Sequence, residues 1–465
     1  MSTVEGENNI NGGELGNNLQ SLVDNENLSD NPQDWKFVVV NHHEQPGIKR
    51  INTLIEEGRV DPNRVSERPY NHASKEVLEL AESLGSVSAD ENVLVEAIVE
   101  KIQNNTQDLS LDEIRGVVET GSIIKDLAFL ARETEEIVSN PELIEAHSRW
   151  IWDPIERTLD KYIGHKEHRL LLMSRLVGLI PFKEIEKLRS TKIRVAGASV
   201  AASEIDLLAC LGAEDIRFYD KGELDASKIF IMPGGMGDFR NIGIPKATAL
   251  MRTLYGRNPY GSYEGVPGNI LFPGEVKINE HDTPISEAMG DVDLAIEVID
   301  NPFGKIAFRN WMQQEKPDTP SLWLADVGSN PFVGIENPAS RNWFNQSISD
   351  DEKERMLITP TSVGEAKIEG ARSVYLMVDK GLPDDHRLQF LLWRLGVIPY
   401  WSQTPISSRE SASIASKLIL MCRENSEVVG KNISLDESPV TLTGEFNDGK
   451  SRLLSKICKQ IFDIK

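Results

Sequence analysis

From residue 192 onward, short apolar strand patterns alternate with amphipathic helix patterns, and this alternation limits the folds open to the chain. The strand patterns are KIRVAGA (192–198), DIRFYD (215–220), LAIEVID (294–300), SLWLADVG (321–328) and SVYLMVD (373–379). Helix patterns occupy 202–211, 245–255, 305–314 and 408–423. Strands separated by helices favour right-handed crossovers and a parallel sheet that is covered on both faces. The alternation therefore predicts an α/β fold with a doubly wound sheet.

Composition divides the chain of 465 residues into four predicted regions. Residues 1–34 contain no Lys, Arg or aromatic residue, and we expect a disordered acidic and Asn-rich tail because they bury too little apolar surface. Residues 35–188 are predicted to be mostly helical, after a short strand at WKFVVV. Residues 189–345 contain four of the five strand patterns, and 346–465 are expected to complete the same α/β domain.

Local signals support the helical N-terminal region. Apolar residues at 77, 80, 81 and 84 repeat with the helical period, and Gly85 follows as a stop signal. Ser110 and Glu113 have the spacing of a capping box, which predicts a helix that begins there. The apolar stretch 170–179 is expected to pack against the following domain.

Charge and cysteine content exclude several classes of function. The chain has 50 Lys and Arg against 73 Asp and Glu, so its net charge of −23 argues against a nucleic-acid polymer as partner. Cys210, Cys422 and Cys458 are too few and too far apart for a four-thiolate zinc site or a disulfide framework. No signal peptide and no apolar run of membrane-spanning length is evident, so we expect a cytoplasmic protein without a membrane partner. His165 and His168 lack a supporting acid or thiol cluster and are not expected to bind metal.

The turn after the first strand is the first candidate binding element. In doubly wound sheets, ligands bind beyond the carboxyl ends of the strands, where the strand order reverses. The turn GASVAA, with Gly197 and Ser199, is built from small residues and leads into a helix N-terminus that suits a phosphate. The fingerprint G-x-G-x-x-G is absent, so tight strand–helix packing alone remains an alternative.

Four further residues, at three places in the chain, extend this candidate site. Asp220 ends the second strand about 20 residues after the turn, where a carboxylate can bind ribose hydroxyls. Lys246 opens the helix pattern after Gly243-Ile-Pro and is a candidate for phosphate binding. Asp300 and Asn301 follow the strand pattern 294–300, where a carboxylate can hold Mg²⁺. A turn cap, a solvated lysine and a plain turn are the respective alternatives.

These residues lie in stretches that resemble the ThiF-type family, the adenylate-forming domain shared by ubiquitin-activating enzymes and bacterial sulfur-carrier activators. The stretches are RVAGASVAASEIDLLACLGAEDIRFYD, NIGIPKATALMRTLYGRNPY and DVDLAIEVIDNPFGKIAFRNW, in this order. The resemblance covers about 190–345. It looks closest to a divergent bacterial branch with a long helical N-terminal extension, since RWIWDPIERTLDKYIGHKEHRLLLMSRL is similar to the lead-in of that branch.

The resemblance implies a Rossmann-like fold and a defined chemistry. The family binds ATP with Mg²⁺ and adenylates the C-terminal carboxylate of a ubiquitin-like or carrier protein, with release of pyrophosphate. Family proteins are commonly dimers, so a homodimer is expected. Residue by residue, the resemblance assigns the phosphates to Gly197, Ser199 and Lys246, the ribose to Asp220, and the metal to Asp300. Asn301, beside Asp300, is a further candidate for cofactor binding.

The chain departs from the family pattern after the ribose-binding acid. The family has Ser-Asn-Leu-x-Arg-Gln there, whereas this chain has Ser227, then Lys228 at the Asn position and Ile231 at the Arg position. An arginine that stabilises transition-state charge in phosphoryl chemistry is worth about 10³-fold or more in rate. Arg240 and Lys228 are the candidates for this catalytic role, and Ser227 remains a candidate for cofactor binding. No cysteine occupies the usual thioester region, so neither a thioester relay nor a structural zinc is expected.

Three functions remain open at this point. The first is an ATP-dependent adenylyltransferase of the ThiF type, a ubiquitin-like modifier activating enzyme. The second is a catalytically degenerate relative, a pseudoenzyme that binds a nucleotide or a partner protein. The third is an NAD(P)-dependent oxidoreductase, which the missing fingerprint glycines and the pattern of Lys246 and Asp300 disfavour.

Overall fold

The computed structural model of the chain describes the N-terminal helices, the α/β sheet and one C-terminal helix. The described residues are 38–40, 53–299, 302–338, 405–424 and 432–433, apart from short gaps at 54, 107–108, 120–122, 154–156, 328–329 and 337. The expected tail at 1–34 and the strand pattern at 373–379 lie outside them.

Within these residues, seven helices precede the main sheet. They are α1 (Arg68–Leu84), α2 (Glu91–Gln103), α3 (Leu111–Val118), α4 (Ile123–Ser139), α5 (Glu142–His147), α6 (His165–Ser174) and α7 (Phe182–Arg189). The predicted apolar stripe is confirmed in α1, where Val77, Ala81 and Leu84 are buried. The predicted capping box is confirmed at α3, because Ser110 Oγ accepts from the Glu113 amide and the Ser110 amide donates to Glu113 Oε2 at 2.9 Å.

The strands form one seven-stranded sheet and two smaller sheets. They are β1 (Val38–Val40), β2 (Val65–Ser66), β3 (Arg149–Asp153), β4 (Thr158–Tyr162), β5 (Lys192–Ala196), β6 (Asp215–Tyr219), β7 (Ser262–Val266), β8 (Ile270–Leu271), β9 (Thr283–Pro284), β10 (Leu294–Glu297), β11 (Ser321–Val327), β12 (Asn330–Glu336) and β13 (Asn432–Ile433). The order in the main sheet is β13-β12-β11-β10-β5-β6-β7. Neighbouring strands are parallel from β11 through β10, β5 and β6 to β7. The sheet is extended beyond β11 by β12 and β13, which pair antiparallel.

Helices cover both faces of the sheet, so the predicted doubly wound α/β fold is confirmed. They are α8 (Ala202–Cys210), α9 (Lys246–Arg257), α10 (Ile285–Ala288), α11 (Pro302–Glu315) and α12 (Pro405–Glu424). On one face, Val195 belongs to a buried cluster with Leu208, Leu250 and Leu418 from α8, α9 and α12. On the other face, Ala196 packs in a cluster with Met312 of α11. Adjacent residues of β5 thus point to opposite covered faces, as expected of a central parallel strand.

The N-terminal helices share the core of the sheet. Leu170 and Met173 of α6 lie in the same buried cluster as Ile193 and Val195 of β5. The expectation that the apolar stretch at 170–179 packs against the next domain is therefore confirmed. No helix in the described part of the chain is long and apolar enough to cross a membrane.

The sequence patterns miss several strands, among them β12, β7 and the hairpin of β3 and β4. Strands β3 and β4 form an antiparallel hairpin inside the region predicted to be mostly helical. The alternation of polar and apolar residues in β4 is hard to recognise, because the charged Lys161 lies on the buried side. Its Nζ lies 2.6 Å from Glu145 Oε1. Strand β7 is missed because its SYEGV pattern is weakly apolar. A Cβ at Gly265 would lie 2.4 Å from the carbonyl oxygen of Ala247, so α9 packs directly on that backbone.

Candidate functional site

The strand order reverses between β10 and β5, and the turn after β5 lies at this crevice. Gly197 has φ of +94°, a conformation that disfavours a side chain. A Cβ on Gly197 would come within 2.7 Å of the carbonyl oxygen of Val298, just past the end of β10. The Gly197 amide donates to the carbonyl of Tyr219 at the end of β6. The turn thus closes directly over the carboxyl ends of three adjacent strands, where doubly wound sheets bind ligands.

The turn leads into α8, whose uncapped N-terminus lies at this edge of the sheet. Ala201 is the N-cap of α8 and makes no side-chain capping bond. Ala201 and Ala202 are fully buried, so their methyl groups pack inside the protein where the turn enters α8. The first amides of a helix carry a partial positive charge and suit an anion. Ser199 lies half-buried in the same turn.

Asp220 and Lys246 come together next to this turn. Asp220 Oδ2 accepts from the Ala198 amide at 3.0 Å, and Oδ1 accepts from the Gly222 amide at 2.8 Å. Lys246, the first residue of α9, has its Nζ 4.0 Å from Asp220 Oδ1, which is too far for a direct hydrogen bond. Both side chains are 13 % exposed. The Gly197 turn, the Asp220 carboxylate and the Lys246 ammonium group therefore form one largely buried cluster.

Gly222 makes this cluster possible, although the sequence patterns do not mark it. A Cβ there would lie 2.9 Å from Lys246 Nζ and 3.0 Å from Asp220 Oδ1. The amide of Lys246 also donates to the carbonyl of Gly222 at 2.9 Å, so the start of α9 is tied to the segment after β6. A glycine two residues after a strand-terminal acid is the signal that could have identified this position.

The two catalytic candidates have other contacts. The exposed Arg240 pairs with Asp238 and lowers the pKa of that carboxyl group to about 2. Lys228 lies in a turn whose amides at 227 and 228 donate to Asp225 Oδ1. The Ser227 hydroxyl donates to the same Asp225 oxygen. Neither Arg240, Lys228 nor Ser227 is joined to Asp220 or Lys246 by a hydrogen bond or ion pair in the described residues.

A buried acid lies in the first turn of α8, the helix that follows the candidate phosphate turn. Glu204, in the first turn of α8, is 0 % exposed, and neither carboxyl oxygen has a hydrogen-bond partner among the residues that the structure describes. Burial raises its pKa from 4.5 to about 8. The group is therefore mostly a neutral carboxylic acid at pH 7. Nothing in the sequence marks this position, because an acidic residue in the first turn of a helix is common.

A buried ion pair lies at the end of β10. Lys305 Nζ of α11 is 3.0 Å from Glu297 Oε1, and both side chains are almost fully buried. The Ile299 amide also donates to Glu297 Oε1. The pair therefore fixes the segment that leads from β10 toward Asp300 and Asn301. These two residues lie outside the described part of the chain.

The described residues contain no group of three or more His, Cys, Asp or Glu side chains arranged to hold a metal. His165 Nε2 lies 2.6 Å from Glu214 Oε1, and His168 Nδ1 lies 3.1 Å from the Tyr162 hydroxyl. Burial lowers the pKa of His168 to about 4. These two histidines therefore have protein partners.

Solved structures that are similar to this chain share little sequence with it. No protein-family model and no curated protein matches the sequence. A crystal structure of E. coli MccB with ATP matches at 13 % identity and a TM-score of 0.38, over 72 % of this chain and 92 % of that one. A structure of PaaA matches at 13 % identity and a TM-score of 0.36, over 60 % and 73 %.

Proposed function

We propose that the chain is an ATP-dependent adenylyltransferase of the ThiF type, which activates the C-terminal carboxylate of a peptide, ubiquitin-like or carrier protein. The observation that carries the proposal is the convergence of the Gly197 turn, Asp220 and Lys246 at the strand-order reversal. The sequence resemblance of residues 190–345 supports the same assignment.

The reaction requires charge stabilisation around the phosphates. A carboxylate oxygen attacks the α-phosphorus of ATP, the bond to pyrophosphate breaks, and an acyl-adenylate forms. In the proposed arrangement the α8 amides and Lys246 donate to phosphate oxygens that carry the developing charge. Asp220 accepts from the ribose hydroxyls, because a carboxylate that accepts two backbone amides retains further lone pairs.

Mg²⁺ belongs to this proposal as the companion of ATP. When bound, it neutralises phosphate charge, and Asp300 is the carboxylate proposed to hold it. The proposed role of the chain itself is to place the nucleotide with the Gly197 turn and Lys246.

A catalytically degenerate nucleotide-binding protein is the second candidate. It is favoured by Ile231 at the position of the family arginine and by the pairing of Arg240 with Asp238. An isoleucine neither donates a hydrogen bond nor carries charge, so it cannot replace the arginine. Binding without turnover is then the expected behaviour.

Two measurements test the proposal. Titration calorimetry with ATP and Mg²⁺ should show that Lys246→Ala weakens ATP binding about tenfold or more, the loss expected for a charge-assisted hydrogen bond. Lys75→Ala is the matched control, because Lys75 is 76 % exposed on α1. An unchanged ATP affinity in Lys246→Ala would remove Lys246 from the site. ATP–pyrophosphate exchange that depends on a carrier or peptide then separates the two candidates, since the degenerate protein binds ATP without exchange.

A further inference from the structure

A second cleft, with a volume of about 510 Å³, lies along the outer face of α9. Neither Asp220 nor Lys246 lines it, so it is distinct from the proposed nucleotide site. Asp153 at the end of β3 and the segment 235–241 close its other sides. The N-terminal hairpin and the α/β domain therefore both contribute to this cleft.

Arginine side chains surround the cleft. They are Arg240, Arg252 and Arg257, and the side chains of Arg240 and Arg257 are 72 % and 46 % exposed. Each of these arginines already has a partner in the protein: Arg240 pairs with Asp238, Arg252 Nη1 donates to Asn241 Oδ1 at 3.4 Å, and Arg257 pairs with Asp206 at 3.1 Å. A guanidinium group has five N–H donors, so an arginine that is already paired can bind a second carboxylate.

The floor of the cleft is made of small residues. Gly235, Ala249, Thr253 and Gly256 line it between the arginines. A Cβ on Gly235 would lie 3.6 Å from Thr253 Oγ1, so the segment 235–241 lies close to α9. Small side chains let the backbone of a ligand approach closely. A narrow floor with guanidinium donors along its edges suits an extended polypeptide with acidic side chains.

An apolar groove adjoins the cleft at Arg240. Phe230 and Phe239 line this groove and are 75 % and 71 % exposed. Exposed aromatic residues beside arginines are typical of protein-recognition surfaces. Asp153 and Asp238 also line the cleft, which disfavours a densely charged nucleic acid and is compatible with a peptide that carries a few carboxylates.

We propose that this cleft binds an extended acidic segment, flanked by an apolar residue, of the polypeptide whose carboxylate the protein activates. The identification of that segment as part of the substrate rests on the proposed function. The cleft begins at Ala249, about 5 Å along the α9 axis from Lys246. A segment bound there anchors the substrate beside the nucleotide site and leaves its C-terminus outside the cleft.

Fluorescence anisotropy with a labelled synthetic peptide rich in Glu and Leu tests the proposal on the full-length chain. The wild type should bind this peptide, and should bind a matched peptide with Gln in place of Glu at least tenfold more weakly. Arg252→Gln and Arg257→Gln should each weaken binding about tenfold, as expected when a charge-assisted hydrogen bond is lost. Arg115→Gln is the matched control, because Arg115 pairs with Glu96 on the helices α3 and α2.

Several outcomes would overturn the proposal. They are equal binding of the two peptides, unchanged affinity in Arg257→Gln, or competition by tripolyphosphate as strong as that of the peptide. A chain without residues 1–34 that binds the peptide many times more tightly would instead assign the cleft to the acidic N-terminus of the protein itself. ATP titration of the same variants separates the two proposals, since Arg252→Gln and Arg257→Gln should retain ATP affinity whereas Lys246→Ala should lose it.

Discussion

Replacement of Glu204 by Gln should change how the stability of the protein depends on pH. The native carboxyl group has a pKa of about 8, against 4.5 for an exposed glutamate, because it is fully buried without a partner. Between these values the native state holds a proton that the unfolded chain releases. The stabilising effect of that proton is complete below pH 4.5 and is lost as pH rises through 8.

The expected magnitude follows from the width of this pH window. Each pH unit inside the window costs the wild type about 1.4 kcal/mol of unfolding free energy, so the loss from pH 5 to 7.5 is about 3 kcal/mol. Glutamine has nearly the same size and does not titrate. The difference in unfolding free energy between Glu204→Gln and the wild type should therefore grow by about 3 kcal/mol over this range.

Urea denaturation at several pH values measures this difference. The comparison uses slopes with pH, because the buried amide of glutamine has its own desolvation cost at every pH. Glu79→Gln is the matched control, since Glu79 is 62 % exposed on α1 and should add no comparable slope. A difference between Glu204→Gln and the wild type that stays constant from pH 5 to 7.5 would refute the reasoning.

Three further substitutions test other features of the fold. Gly197→Ala should destabilise the protein by about 2 kcal/mol or more and weaken ATP binding, because the residue has φ of +94° and its Cβ would meet the Val298 carbonyl; wild-type values in urea denaturation and ATP titration would contradict this. Ser110→Ala should lower the free energy of unfolding by about 1 kcal/mol, because it removes the cap on α3. An unchanged value in urea denaturation would show that the cap does not stabilise the protein. Lys305→Met should lower the free energy of unfolding by about 3 kcal/mol, because Glu297 stays charged and buried without the lysine. In thermal unfolding, the double variant with Glu297→Gln should recover much of that stability.

Much of the α/β sheet could be predicted because its signals are local. The strand patterns that became β5, β6, β10 and β11 are short segments rich in apolar residues, as expected of strands that are covered on both faces. The capping box at Ser110 is equally local, since its two residues are three positions apart. Strand β7 lacked a local signal, because only the close packing of α9 explains why a glycine stands at position 265.

The candidate site was predictable only in part. Gly197, Asp220 and Lys246 follow strand ends or begin a helix, and positions at one edge of a parallel sheet converge once the strand order is known. The roles of Arg240, Lys228 and Ser227 remain predictions, because each contacts residues of its own loop. Assignments for Asp300 and Asn301 also remain predictions.

The sequence by itself determined the fold class and the positions at which a ligand site could form. Periodicity and turn chemistry depend on neighbours within a few residues, and the sequence contains that information in full. Only the tertiary structure decided that Glu204 is buried without a partner and that Gly222 lets Lys246 approach Asp220. It also brought Asp153 of the hairpin to the arginine cleft. The burial of a side chain, its pKa and the charges around it depend on residues that are far apart in the chain. These properties are therefore defined only once the chain has packed.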